Sequence, residues 1–469
     1  MRFLIFLFIF ELFFGFNGKW LVLGGISARH WLFAVVLCAV YGKAVYFFIK
    51  KAIGKRKQGE KLGQIIIAEL SSFSKFDWCL LAFAVLHSIW IIFIPYTQMS
   101  VYPNALKESL GSSLCVMFMA LYFPGVYLLR NGQVEWKKYR NFVIGCVIGL
   151  AIWHVLLYVL ERIQWQQDHT QYFMERVFAW WETVVHGRCE LPTILMPKYA
   201  VRIIYGCNVL LLLSFYFVVG QRKKIYFLWL LLGVLALFTT GTRALLVGVL
   251  SGGAAYLMAD GLVHKWNRDT VKKVILKTCA LFIFALFFDA VCFQGMNATR
   301  LLASFSVSSE VIESGEVEIL TWESTEYSAE SEIRGTTNSN STRVLQIKYY
   351  ITKFFEKPLL GHGFAMQTEI DRDLQGLVYL CKVGVIGILM CLLLFLVFLR
   401  KLVSMERKER GSGFPALYLV VAILMDIQFQ MMFGVLTMGM ALFMFLDLEQ
   451  KELEIQRRTN EISDLCVND

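Results

Sequence analysis

The chain alternates long apolar runs with short polar segments. A bilayer core takes about 20 apolar residues per helix, and roughly twelve runs meet or approach that length. They lie near 3–25, 30–49, 76–96, 112–129, 141–160, 200–220, 225–240, 243–260, 274–294, 376–399, 414–430 and 432–448. The pattern predicts an all-α polytopic membrane protein. Met1-Arg2 leads into the first run, no small-x-small cleavage pattern closes it, and it reads as a retained helix rather than a secretory signal.

The connections agree with this reading, because alternate loops carry the cations. Lys50, Lys51, Lys55, Arg56, Lys57 and Lys61 fill the first; Arg130, Lys137, Lys138 and Arg140 the second; Arg222, Lys223 and Lys224 the third. Lys265, Arg268, Lys272 and Lys273 follow in phase, and then Arg400, Lys401, Arg407, Lys408 and Arg410. Both termini are therefore expected in the cytoplasm. The expected division is helices one to five over 1–160, an external loop over 161–199 and helices six to nine over 200–293. A long external loop over 294–375, helices ten to twelve over 376–448 and a charged cytoplasmic tail over 449–469 complete it.

The long external loop has two halves. The first is acidic and rich in Ser and Thr, with Glu310, Glu313, Glu316, Glu318, Glu323, Glu326, Glu330 and Glu332. The second, Thr342 to Gly363, has helical patterning through Val344, Leu345, Tyr349, Ile351, Phe354 and Phe355, and reads as an amphipathic helix lying on the membrane face.

Composition sharpens the class. With 57% hydrophobic and 17% charged residues the chain is too apolar for a soluble protein of 469 residues. The net charge of +10 would point to nucleic acid in a soluble domain, but the cations sit between apolar runs, so no nucleic-acid partner is expected. Most of the 11 cysteines fall inside those runs, so neither a disulfide framework nor a metal site is expected. Glycine-rich nucleotide loops, zinc spacings and serine-nucleophile elbows are absent, which removes ATP-driven chemistry and any cofactor from the expectation.

Candidate chemistry concentrates at the external ends of the runs. In Thr239-Thr240-Gly241-Thr242-Arg243 a new helix opens with a cation in its first turn, an arrangement that an anion would stabilise. Arg243 together with helix N–H groups suits a pyrophosphate; its plainer role is a snorkelling interfacial charge. Arg343 opens the amphipathic segment in the same way, and Arg202 starts the sixth helix. Guanidinium forks match phosphate oxygens bidentately, so Arg202, Arg243 and Arg343 would form a diphosphate clamp if they converge. His362 stands between Gly361 and Gly363, and Asp371 and Asp373 follow. Either His362 or a carboxylate could act as a base, or each could be structural. Glu11, Asp77, Asp289 and Asp426 are acids within or near the runs, where function is one explanation and hydration at a helix end another.

Together these features resemble the O-antigen ligase and polymerase superfamily of bacterial envelope glycosyltransferases. The resemblance rests on Thr242-Arg243-Ala244-Leu245-Leu246, on Arg343, on Pro358-Leu359-Leu360-Gly361-His362-Gly363-Phe364 and on Gly384-Val385-Ile386-Gly387, in that order. One position departs from it: where the ligases carry a histidine, this chain has Asp373 followed by Leu374. The resemblance implies a GT-C-like helical bundle and metal-independent transfer from a polyprenyl-pyrophosphate-linked glycan at the outer face of the bacterial inner membrane. It further implies catalysis by Asp373 or His362, and a flippase and chain-length regulator of the same pathway as partners. The missing histidine favours polymerisation of repeat units over ligation to a surface acceptor. A lipid-linked glycan flippase or another transporter is the alternative of a different class.

Overall fold

The computed structural model describes residues 1–14, 22–23, 26–71, 73–112, 114–162, 243–265, 268–293, 329–366 and 374–427, with short pieces at 228–229, 231–233, 235, 445–446 and 449. These residues are almost entirely helical. In chain order the helices are α1 (Arg2–Phe14), α2 (Ala28–Lys57), α3 (Leu62–Ser71), α4 (Lys75–Gln98), α5 (Ala105–Ser112), α6 (Leu114–Arg130) and α7 (Trp136–Arg162). After them come α8 (Arg243–His264), α9 (Arg268–Phe293), α10 (Ala329–Glu356), α11 (Gln375–Lys408) and α12 (Phe414–Ile427). Among the described residues, α2, α4 and α11 are long and apolar enough to cross a membrane.

Several expected boundaries move. The first run is not one helix to residue 25: α1 ends at Phe14, and Val22–Leu23 pairs antiparallel with Ile26–Ser27. The first basic loop is helical as far as Lys57, and Lys51 reaches Glu69 of α3 at 2.7 Å. The helix expected over 342–363 starts earlier, at Ala329, and stops at Glu356. Pro358 and the glycines beyond it cannot continue a helix without loss of hydrogen bonds and backbone strain.

Two cores hold the bundle. Phe8, Phe33, Val36, Val40, Tyr127 and Leu128 join α1, α2 and α6. A larger cluster centred on Phe76, Tyr122, Leu402, Phe414 and Tyr418 joins α4, α6, α11 and α12. Helices α8 and α12 approach so closely that a Cβ on Gly252 would lie 2.7 Å from the Tyr418 carbonyl oxygen. Outward, Leu389, Leu392, Leu393 and Leu396 of α11 stay exposed, a surface suited to lipid.

Among the described residues α4 and α11 are interrupted, and both interruptions bond to the segment after α10. In α4 the turn Ile89–Phe93 is a π-helix in which the Ile94 N–H bonds to Ile89 O, five residues back. The next residue, Pro95, has no N–H, so the Trp90 carbonyl is left to accept from the Phe364 N–H at 3.1 Å. The neighbouring Ile91 carbonyl accepts from Ser109 Oγ of α5 at 2.6 Å. In α11, Gly384 takes φ 66° and ψ −170°, which interrupts the helical ladder. Four backbone groups beside the interruption bond to the segment after α10. The Cys381 and Lys382 carbonyls accept from the His362 and Gly363 N–H groups at 2.9 and 2.8 Å. The Val385 and Ile386 N–H groups donate to the Pro358 and Leu359 carbonyls at 2.9 and 3.2 Å.

Glycine is required at this joint. A Cβ on Gly384 would sit 2.3 Å from the Leu359 carbonyl oxygen, on a backbone whose φ L side chains avoid. Gly384→Ala is expected to destabilise the protein by about 2–3 kcal/mol, whereas Gly145→Ala, in an α7 position with nothing within 4 Å, should be neutral or better. Thermal unfolding of the detergent-solubilised variants reads both, and a Gly384→Ala protein that melts with the wild type would disprove the constraint.

Candidate functional site

The segment Lys357 to Met366 is the meeting point of α4, α10 and α11. Its carbonyls are bound from α4 as well: Trp90 Nε1 donates to Leu360 O and Gln98 Nε2 donates to His362 O, both at 2.7 Å. Helix α10 packs on the first turns of α11 through Tyr350, Val378 and Cys381, with Met366 between them. Cys381 Sγ lies 3.1 Å from Tyr350 O, to which it donates.

His362 is buried in this joint. Its Nε2 lies 2.9 Å from the Lys353 carbonyl oxygen and 3.8 Å from Glu356 Oε2. The carbonyl can only accept, so Nε2 carries a proton, and in the neutral ring the lone pair is on Nδ1. Burial pushes the pKa of His362 below its ordinary value, and the Lys357 and Lys353 ammonium groups push the same way. The Lys353 carbonyl and Glu356 pull against them without reversing the direction. Glu356 is itself exposed and held low, first by its hydrogen bond from Lys353 at 2.8 Å.

The other sequence candidates fall in different places. Arg243 is the first residue of α8, so its backbone stands at a helix N-terminus as expected. Arg343 is half-buried on α10. Ten residues separate it from Lys353, roughly 15 Å along a helix axis, so Arg343 stands well away from the carbonyl that His362 contacts. Arg202, Asp371 and Asp373 lie outside the described residues.

Some residues escaped the sequence reading. Lys382 is buried beside the break, with its ammonium 5.2 Å from the centre of the Phe364 ring. Gln346 is 1% exposed, and neither its Oε1 nor its Nε2 has a hydrogen-bond partner. It follows Arg343 by three residues and precedes Tyr350 by four, which sets all three on one side of α10. The helical period identifies that shared side, but burial of a glutamine has no sequence signal. Phe364 also packs edge-on against His87 of α4, whose ring stacks on Tyr379 of α11.

Two of the acids in the apolar runs are paired. Glu11 meets Arg29 at 2.9 Å across the hairpin between α1 and α2. Asp77 closes a capping box with Ser74, accepts from Tyr122 Oη at 2.6 Å and pairs with Arg130 at 3.0 Å. The side chains of Asp289 and Asp426 lie outside the described residues. Among the described residues, the close group with metal-ligating chemistry is Asp260, His264 and Glu406, at the opposite end of α11.

The depressed pKa of His362 makes the joint sensitive to acid. A histidine that folding keeps neutral contributes stability that is complete above about 6.5, the ordinary imidazole value. That stability is lost as the pH falls from there through the depressed folded value, because the unfolded state then binds more protons. The amides of Val385 and Ile386, which donate to the docked segment, are expected to exchange faster with solvent as the pH drops below neutrality, after correction for intrinsic exchange. His362→Gln should abolish that trend, and a trend that survives the substitution would place its origin elsewhere. No protein-family model, curated protein or solved structure matches this chain.

Proposed function

We propose that the protein is a polymerase of polyprenyl-pyrophosphate-linked oligosaccharide repeat units, with about twelve spans in a GT-C-like bundle and its site at the outer face of the bacterial cytoplasmic membrane. The observation that carries the reading is the joint: the Pro358 to Phe364 motif of the resemblance seats α10, the helix of Arg343, against α11 and α4. The start of α8 at Arg243 supports it further, because first-turn N–H groups at a helix end bind an anion well.

In this reading Arg202, Arg243 and Arg343 hold the diphosphate of the donor. A hydroxyl at the end of a second glycan attacks the donor's anomeric carbon. The new C–O glycosidic bond forms as the bond from that carbon to the phosphate oxygen breaks, and the polyprenyl pyrophosphate leaves with the electron pair. Fixed guanidinium charge stabilises the leaving group as its charge develops. The hydroxyl proton passes to Asp373, the residue at the position where the ligases carry histidine. His362 takes the supporting role, since its Nε2 proton is committed to the Lys353 carbonyl. No metal takes part in the transfer.

Lipid-linked and surface glycans of cells making wild type, Arg343→Ala, Asp373→Asn or His362→Gln at matched protein levels test these roles. Arg343→Ala and Asp373→Asn should cut polymer by about 100-fold or more and accumulate single repeat units on the lipid carrier. His362→Gln, which retains a donor for Lys353 O, should keep most of it. Long chains persisting in the Asp373→Asn cells would remove the assigned base. Polymer made but left on the carrier would turn the reading towards ligation.

A further inference from the structure

At the far end of α11 the chain gathers three side chains whose donor atoms lie within 4.8 Å of one another: Asp260 and His264 from the last turns of α8, and Glu406 from α11. Glu406 is 1% exposed and is held by three backbone N–H groups, which leaves a lone pair on Oε1 open. Its Oε1 accepts from the Gly411 N–H at 2.5 Å, and its Oε2 accepts from Gly413 and Phe414 at 2.9 and 3.0 Å. Arg410 donates through Nη2 to both carboxylate oxygens of Asp260 at 3.0 and 3.3 Å.

His264 does not fit that network as a donor. Its Nε2 is buried, lies 3.4 Å from Glu406 Oε1, and makes no hydrogen bond to it or to any other group. The imidazole nitrogen and the carboxylate oxygen thus lie close together with no aligned hydrogen bond between them. Their separation is that of neighbouring ligands on a tetrahedral ion: metal–nitrogen and metal–oxygen bonds of about 2.0–2.2 Å at the tetrahedral angle put the ligand atoms about 3.4 Å apart. The helix end favours a cation. Helix α8 ends here, with Lys265 at φ 58°, so its negative end points to the cluster. The backbone N–H groups on Glu406 and the Arg410 guanidinium on Asp260 are the kind of outer contacts that orient ligating carboxylates.

We propose that Asp260, His264 and Glu406 form a binding site for a first-row divalent ion with zinc-like preferences, which clamps the end of α8 to the α11–α12 turn. One imidazole with two carboxylates is a borderline donor set that suits zinc and leaves a fourth position for water. The site departs from the sequence expectation of no metal. Its third ligand comes from a distant helix, so no short spacing announces it. From Gly384 to Glu406 the helix rises roughly 30 Å at 1.5 Å per residue. The ion therefore sits about a bilayer core away from the joint, outside the proposed transfer chemistry.

The test uses full-length protein purified in detergent, stripped with a chelator and reloaded with Zn²⁺ alone. Wild type is expected to retain about an equimolar amount of zinc by mass spectrometry after buffer exchange, and to melt at higher temperature with zinc than without. His264→Gln and Glu406→Gln should each weaken zinc binding at least about tenfold, read by competition with a chromophoric chelator. Because Glu406 also caps a turn, His264→Gln carries the result if Glu406→Gln fails to elute as a single species. Reloading with Co²⁺ should give the intense visible bands of a four-coordinate ion in wild type and lose them in His264→Gln. Wild type that retains no zinc, or His264→Gln that binds it equally well, would overturn the site and return His264 to an ion-pair role with Glu406. The readouts do not involve glycan synthesis.

Discussion

A backbone polar group away from water must find a partner, and this requirement governs how the described helices fit together. Beside the break at Gly384, two carbonyls and two N–H groups of α11 bond outside their helix, and Pro95 with its π-turn strands the Trp90 carbonyl in α4. Left unpaired, the four groups in α11 alone would cost on the order of 4–12 kcal/mol at 1–3 each. That is comparable to the whole stability of a typical folded domain. The segment Pro358 to Phe364 bonds to all five groups. It therefore completes two helices that are incomplete without it. The positive φ at Gly361, Gly363 and Gly384 follows from the close approach, since a Cβ on Gly361 would meet the Lys382 carbonyl oxygen at 2.5 Å.

Charge obeys the same rule on the cationic side of the bundle. Arg130 stands between Asp77 and Glu449 at 3.0 and 2.6 Å, and Lys401 reaches Glu449 at 2.6 Å while its ammonium lies over the Phe445 ring. Each charge has a counterpart, which matters because removal of one partner from a buried pair costs about 3–5 kcal/mol. The cations that signalled a cytoplasmic loop in the sequence thus include two that lock α4, α6 and α11 to the residues near 449. Positive charge marks orientation, and some of it also fastens the helices.

Hydropathy made most of the described long helices legible, because it reports contact with an apolar solvent and needs no knowledge of partners. It located α2, α4, α6, α7, α8, α9, α11 and α12 to within several residues at most ends. It missed α3 and α5, which are short, and it carried the first run too far. It gave no warning of the break in α11, because a glycine within an apolar run reads equally as close packing, and a positive φ leaves no mark in composition. The Ser74-x-x-Asp77 capping pattern was present in the sequence, but the Arg130 that pairs with Asp77 is fixed only by the fold. Pro358 to Phe364 was recognised as a motif and His362 as a candidate base. What the structure adds is that this motif is a backbone adaptor in which the histidine ring is anchored.

On the proposed reading, the adaptor bears on catalysis through leverage. Helix α10 is fixed near Lys353 and Tyr350, and Arg343 lies roughly 15 Å further along its axis. A tilt of about 10° at the joint would carry that end of the helix on the order of 2–3 Å, whereas a misplacement of about 1 Å can cost a hundredfold in rate. On the proposed reading, an arginine that stabilises a departing diphosphate must keep its position as charge grows, and its own flexible side chain cannot guarantee that. The rigidity has to come from the base of the helix. Hydrogen bonds that tie one loop into two broken helices resist tilting in more than one direction. This gives a physical reason for a glycine-rich motif to sit well away from the charge it serves.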